Sequence, residues 1–114
     1  MDHFLVPGEQ DLLGKGVSYR AFRDGEKYRG KTIAIIITDP RFEPEANYLS
    51  GLAEKVVLFT GYKGCSVDLS HVIFMGTTPA SIEGRDHVEA IRCTNGMIYA
   101  VDGVFCLQEC MHSI

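Results

Sequence analysis

Two arginines three residues apart, Arg20 and Arg23, stand in the segment Gly-Val-Ser-Tyr-Arg-Ala-Phe-Arg-Asp-Gly at residues 16–25. On one helical turn they would share a face, and paired guanidinium groups suit an anion or an acidic partner. The plainer reading is two solvated arginines paired with Asp24 or Glu26, since exposed ion pairs are common and weak. That plainer reading is the expectation. The other group with chemistry-bearing side chains is Cys106, Cys110 and His112, spaced Cys-x-x-x-Cys-x-His. A metal would need a fourth ligand such as His71, His87 or Cys93 in tetrahedral geometry. A Cys106–Cys110 disulfide would need a sharp turn. The simpler alternative makes Cys106 a small core residue on a strand and leaves Cys110 and His112 in a tail. We expect no metal site.

No Cys-x-x-Cys pair occurs, so neither a zinc knuckle nor a thioredoxin-type motif is supported. His3, His71 and His87 have no triad-like neighbours in sequence, and no serine sits in a nucleophile-elbow context, so no catalytic residue is assigned. Tyr19, Phe22, Tyr28 and Tyr62 flank apolar runs and read as core packing rather than as a stacking surface.

The chain of 114 residues is long enough for one domain with a real core. Hydrophobic content of 46% with 23% charged residues fits a folded globular chain and argues against disorder. A net charge of −4, with Lys and Arg spread along the chain, disfavours nucleic acid as a partner. The longest apolar run, residues 33–37, is too short to span a bilayer, and Met1-Asp2-His3 does not open a secretory signal. We therefore expect a cytoplasmic location, no membrane partner and reduced cysteines.

The elements that must position these residues follow from periodicity. Residues 32–37 form a β-branched run with apolar residues on both faces, as in a strand buried on both sides. Pro40 ends it, and Pro44 suits the first turn of a helix. Ala46, Leu49, Leu52 and Ala53 then share one helical face. Residues 55–60 form a second buried strand, completing a βαβ unit. A further strand over 71–75 follows after only ten residues, too few for a full helical crossover. One sheet face should then be thinly covered. Short strand-like runs at 80–83, 87–94, 97–101 and 104–108 follow, punctuated by Gly84-Arg85-Asp86, Asn95-Gly96 and Asp102-Gly103. Asn-Gly and Asp-Gly between β-rich runs signal hairpins. The predicted fold is α/β: a Rossmann-like FAD/NAD(P)-binding-type domain with a short parallel βαβ core plus an antiparallel β-meander. Residues 1–15 are expected to be an irregular lead-in to a single domain over 16–114.

Residues 16–25 resemble the Gly-Val-Ser-Tyr-Cys-Ala-x-Cys-Asp-Gly stretch of bacterial-type thioredoxin reductases. Val6-Pro7-Gly8-Glu9, Tyr28-Arg29-Gly30-Lys31, Tyr48-Leu49, Glu83-Gly84, Asn95-Gly96 and Val101-Asp102-Gly103-Val104-Phe105 extend the likeness, in order, to the family's pyridine-nucleotide domain. The resemblance implies that Arg20 and Arg23 occupy the positions of the redox cysteines, and a guanidinium cannot do disulfide chemistry. It sets Ile37, Asp39 and Phe42 against the family's Gly-x-Gly-x-x-Ala, whose glycines admit the NADPH pyrophosphate. It sets Thr60, Gly61, Tyr62 and Ser66 against His-Arg-Arg-x-x-x-Arg, which holds the 2′-phosphate, leaving Lys63 as the nearby cation. No flavin-domain segment accompanies these motifs. The expectation is a stand-alone, degenerate thioredoxin reductase-like domain without reductase activity, a binding or assembly module with a protein partner or a second copy. The alternative is an accessory redox or nucleotide-binding protein using a remnant cleft near Thr38, Asp39, Thr60 and Gly61. No cofactor is expected, with NAD(P) and FAD disfavoured.

Overall fold

A computed structural model of the chain describes residues 6–62, 64–65 and 71–107. Its centre is a five-stranded parallel sheet of order β1-β8-β2-β3-β4, beside a three-stranded antiparallel sheet β5-β6-β7. In the parallel sheet β1 is Val17–Ser18, β2 Thr32–Ile37, β3 Lys55–Thr60, β4 Val72–Phe74 and β8 Gly103–Leu107. The meander is β5 Pro79–Gly84, β6 Val88–Cys93 and β7 Ile98–Ala100. Two helices, α1 Ala21–Asp24 and α2 Glu43–Leu52, complete the elements, with 3-10 turns at Gly25–Tyr28 and Pro40–Phe42.

The period of two along a strand divides the core. Ile33, Ile35 and Ile37 of β2, with Phe105 and Leu107 of β8, pack against Ala46 and Leu49 of α2. Ala34 and Ile36, with Val104 and Cys106, pack on the other face against Ile82, Val88 and Ile91 of the meander. Both faces of the middle strands are therefore dry, which is why β2 and β8 carry almost no polar residues. Helix α2 begins with Pro44 in its first turn, as expected, and carries Glu43 and Glu45 at its positive end.

Residues 6–15 are irregular, yet they pack into the meander side of the core through Val6 and Leu12. The Pro7 carbonyl accepts the Ile82 N–H at 2.8 Å. Gly8 has φ +93°, and a Cβ there would stand 2.2 Å from the Ile82 carbonyl oxygen, so only glycine permits this approach. Glu9 is fully buried; it accepts the Val6 N–H at 3.1 Å and the Tyr19 hydroxyl proton.

The hairpin expectations divide. Arg85 and Asp86 lie between the antiparallel β5 and β6, and Asn95-Gly96 turns β6 into β7. The Asp102-Gly103 pair makes no hairpin. Residues 104–108 were expected beside the meander, but β8 leaves it and lies parallel between β1 and β2. The Asp102 N–H donates to the Thr32 carbonyl at 2.7 Å, and its carboxylate accepts the Thr32 N–H at 3.1 Å, fastening this return. A β-rich run reads the same in either pairing, so a local signal cannot choose its sheet. The two-residue β1 was not anticipated at all. The strand expected over 71–75 is present as β4; it pairs with β3 in parallel and forms the sheet edge. Ile73 and Phe74 on that edge are 38% and 48% exposed. Among the described residues no helix is long and apolar enough to cross a membrane.

Candidate functional site

Arg20 and Arg23 lie where β1 gives way to α1. The helix starts at Ala21, and Arg20 precedes it with φ −122° and ψ 89°. The two arginines are thus not on one regular turn, but both line a shallow cavity of about 250 Å³ with Leu13, Tyr19 and Asp24. An adjoining cavity of about 330 Å³ is lined by Arg23, Asp24, Lys27 and Tyr28.

Asp24 organises this corner. It is buried, and Arg23 grips it with two donors, Nε to Oδ1 at 3.1 Å and Nη2 to Oδ2 at 3.0 Å. The Ser18 hydroxyl donates to Oδ2 at 2.6 Å, and Lys27 Nζ stands 3.5 Å from Oδ1. The Arg23 hydrogen bonds lead in holding the Asp24 carboxyl down to about 2, against the opposing effect of burial. The expected Arg23–Asp24 pair is therefore present. Glu26 pairs with Arg29 instead, at 2.5 Å. Arg20 is exposed, and its backbone N–H donates to the Ser18 hydroxyl at 3.0 Å. Lys27 escaped the sequence reading, although its i,i+3 spacing from Asp24 was a usable signal. Phe22 is not core packing as expected. It is 62% exposed and rests on Tyr48 with ring centroids 4.9 Å apart. Tyr28 does pack inward, edge-on to Phe105.

The remnant cleft lies at the carboxyl ends of β2 and β3. Thr38, Thr60 and Gly61 line one cavity of about 200 Å³ with Ile37, Phe59 and Pro79. That volume is below the usual range for small-molecule pockets, while a second, open cavity of about 380 Å³, lined by Thr60, Gly61, Tyr62 and Met75, falls within it. Asp39 does not line it. Its carboxylate caps the Pro40–Phe42 turn, accepting the Arg41 N–H at 2.9 Å, with Arg41 Nε 3.4 Å away. The backbone hydrogen bond from Arg41 leads in lowering the Asp39 pKa. A carboxylate of the chain itself thus occupies the place where a strand-to-helix turn offers N–H groups to a phosphate. Glu43 and Glu45 follow in the first turn of α2, adding negative charge there. Tyr62 donates its hydroxyl proton to Glu43 at 2.5 Å, and burial raises its pKa.

Cys106 is fully buried on β8, and burial pushes its thiol pKa well up, with the Glu9 charge adding to the effect. Cys93 is buried in the same cluster, and Cys65 is half-buried. Cys110 and His112 lie outside the described residues, as do Lys63 and Ser66 of the cleft comparison. Among the described residues, no three His, Cys, Asp or Glu side chains gather into a group that could hold a metal ion.

The bifunctional thioredoxin reductase/thioredoxin of Mycobacterium leprae is 45% identical over 56 residues, covering 49% of this chain and 12% of that protein. The thioredoxin reductase of Bacillus subtilis is 40% identical over 53 residues, 46% of this chain and 17% of that protein. A crystal structure of a ferredoxin-flavin thioredoxin reductase from Clostridium acetobutylicum superposes with a TM-score of 0.88 at 34% identity. It covers 97% of this chain and 38% of the other. The chain thus spans less than a fifth of the curated relatives it matches and under two fifths of that solved structure. No family model matches. The chain is thioredoxin reductase-like over almost its whole length, with the Rossmann-like FAD/NAD(P)-binding-type fold of those reductases.

Proposed function

We propose that this thioredoxin reductase-related chain has no reductase activity of its own and serves as a binding or assembly module. The observation that carries the reading is how the replaced residues are satisfied. Arg23 is bonded to Asp24, Asp39 caps its own turn and Tyr62 is bonded to Glu43. Each of these three positions has an internal structural partner in place of the sulfur, glycine or cation that the family chemistry uses, while Arg20 stays exposed. The scaffold is kept while the site is degenerate.

Association has a surface to use. Strand β4 ends the parallel sheet with Val-Ile-Phe, carries no charged residue, and leaves Ile73 and Phe74 exposed. Native edge strands are usually blunted by charge or cover, and an apolar edge with neither among the described residues favours pairing with another chain. Two copies joined through β4 would extend one sheet across a two-fold axis. The setting we propose is the cytoplasm, where Cys93 and Cys106 act as buried, reduced core residues. The test is light scattering on size-exclusion fractions across a wide concentration range. Reversible self-association that is lost in Ile73→Lys is the expected result. A monomer at every concentration would count against the homo-oligomer form.

A second reading draws on the cavity beside Thr38, Thr60 and Gly61: an accessory redox or nucleotide-binding protein using that remnant cleft. Asp39, Glu43 and Glu45 favour an unphosphorylated or cationic ligand there over a dinucleotide. A nucleoside that stabilises the chain, with the effect lost in Gly61→Trp, would support it.

A further inference from the structure

Residues 15–31 contain six of the eleven Lys and Arg residues but only two of the fifteen Asp and Glu residues. Their local balance is +4, against −8 for the rest of the chain. Three of the six, Arg20, Arg23 and Lys27, line the two adjoining cavities around Asp24. The cations are thus less evenly scattered than expected: these three are close in sequence and stand at one corner of the fold.

We propose that the surface of Arg20, Phe22, Arg23 and Lys27 docks an acidic segment of a protein partner, one carrying two or more carboxylates beside an apolar side chain. The proposal rests on the assembly reading and goes beyond it, naming a surface separate from β4 and the chemistry of what binds there. Asp24 lies beneath the cations and neutralises one charge, leaving a local excess of +2 with the heads of Arg23 and Lys27 largely in solvent. Arg23 spends Nε and Nη2 on Asp24, and its side chain is still 67% exposed. Arg20 makes no side-chain hydrogen bond or ion pair among the described residues. Its five donors are therefore available for a carboxylate.

Phe22, between Arg20 and Arg23 in sequence, is exposed, and Leu13, 45% exposed, lines one of the cavities. Arginine beside an exposed aromatic ring is the composition of interface anchors, unlike that of an ordinary solvated surface. The contact of Phe22 with Tyr48 holds its ring in place, so less side-chain freedom is lost on binding. The remainder of the chain carries a net −8, which disfavours an acidic partner elsewhere and orients the encounter. The same acidity disfavours a polyanion as long as nucleic acid, which would have to pass over it.

The test uses the 114-residue chain and a fluorescein-labelled peptide of glutamates around a central leucine, followed by anisotropy. Binding is expected to weaken about tenfold in Arg20→Glu and in Phe22→Ala, and by about tenfold on raising salt through the physiological range. Arg20→Lys should retain most of it. Among the described residues Arg20 has no side-chain partner to lose, so its variants keep the test valid even if Arg23→Glu fails to fold. Equal binding by wild type and Arg20→Glu would overturn the proposal. So would the absence of peptide binding, or tight binding of single-stranded DNA in place of the peptide. If the peptide fails while Ile73→Lys still abolishes self-association, this docking surface falls and the assembly reading stands. If neither association is seen, both fall.

Discussion

The Asp39 carboxylate accepts the backbone N–H of Arg41 at 2.9 Å. This bond closes the strand-to-helix turn after β2 upon itself. A dinucleotide-binding turn leaves its N–H groups open so that glycines can admit a phosphate; here the Asp39 carboxylate accepts one N–H of the turn. Two carboxylates in the first turn of α2 repeat the sign. Replacing Asp39 with Asn should keep the cap, since asparagine caps as well as aspartate, and the melting temperature should hardly move. Asp39→Ala should destabilise the fold by about 1 kcal/mol in urea denaturation.

Asp24 links acid stability to the arginine corner. Its folded pKa of about 2 lies below the ordinary 3.8, so the unfolded chain binds the proton more tightly. The stabilisation is therefore complete above the ordinary value and is lost as pH falls through about 2, amounting to about 2 kcal/mol. Urea denaturation between neutral pH and pH 2 should show this loss in the wild type. Asp24→Asn should be less stable at neutral pH, and its acid limb should lack that contribution.

Helix α2 carries two residues that weaken it. Among the described residues the Ser50 hydroxyl is buried without a hydrogen-bond partner, and Gly51 is exposed with open space around its missing Cβ. Ser50→Ala removes an unpaired polar group, and Gly51→Ala reduces the freedom of the unfolded chain. Each should stabilise by about 0.5–1 kcal/mol, read as a higher urea midpoint with an unchanged slope.

Gly103 opens β8 beneath the ring of Tyr28, where a Cβ would lie 2.5 Å from Cε1. Gly103→Ala should cost about 1–3 kcal/mol by overpacking, and thermal melting would show it. A neutral outcome would mean that the Tyr28 ring moves aside freely.

Thiol reactivity should follow burial. Cys65 should label under native conditions, while Cys93 and Cys106 should label only on unfolding, because burial raises both thiols. Peptide mapping after alkylation, with and without denaturant, separates the three.

Much of this fold was legible where burial is two-sided and local. Residues 32–37 and 55–60 are strands at those very limits, because β-branched runs bounded by turn residues admit one reading. Sheet membership was less legible. Nothing local distinguishes β8 as a parallel partner of β2 from a fourth meander strand, since that choice rests on contacts seventy residues away in sequence, such as Asp102 with Thr32. Two-residue β1 is too short to show a period. At the site, the Arg23–Asp24 pair follows from adjacency, whereas the exposure of Phe22 and the approach of Lys27 depend on where α1 lands against α2. An aromatic residue between strand and helix reads as core until the packing is known.

The central claim, a reductase-like scaffold whose dinucleotide site has been closed by its own side chains, is tested most directly by thermal-shift titration with NADPH, NADH and FAD. The account predicts no shift with any of the three. A ligand at a hundred times its dissociation constant would stabilise the chain by about 2.7 kcal/mol, a plainly visible change. Such a shift with NADPH or NADH would contradict the account and restore a cofactor-using role to the cleft beside Thr38 and Gly61.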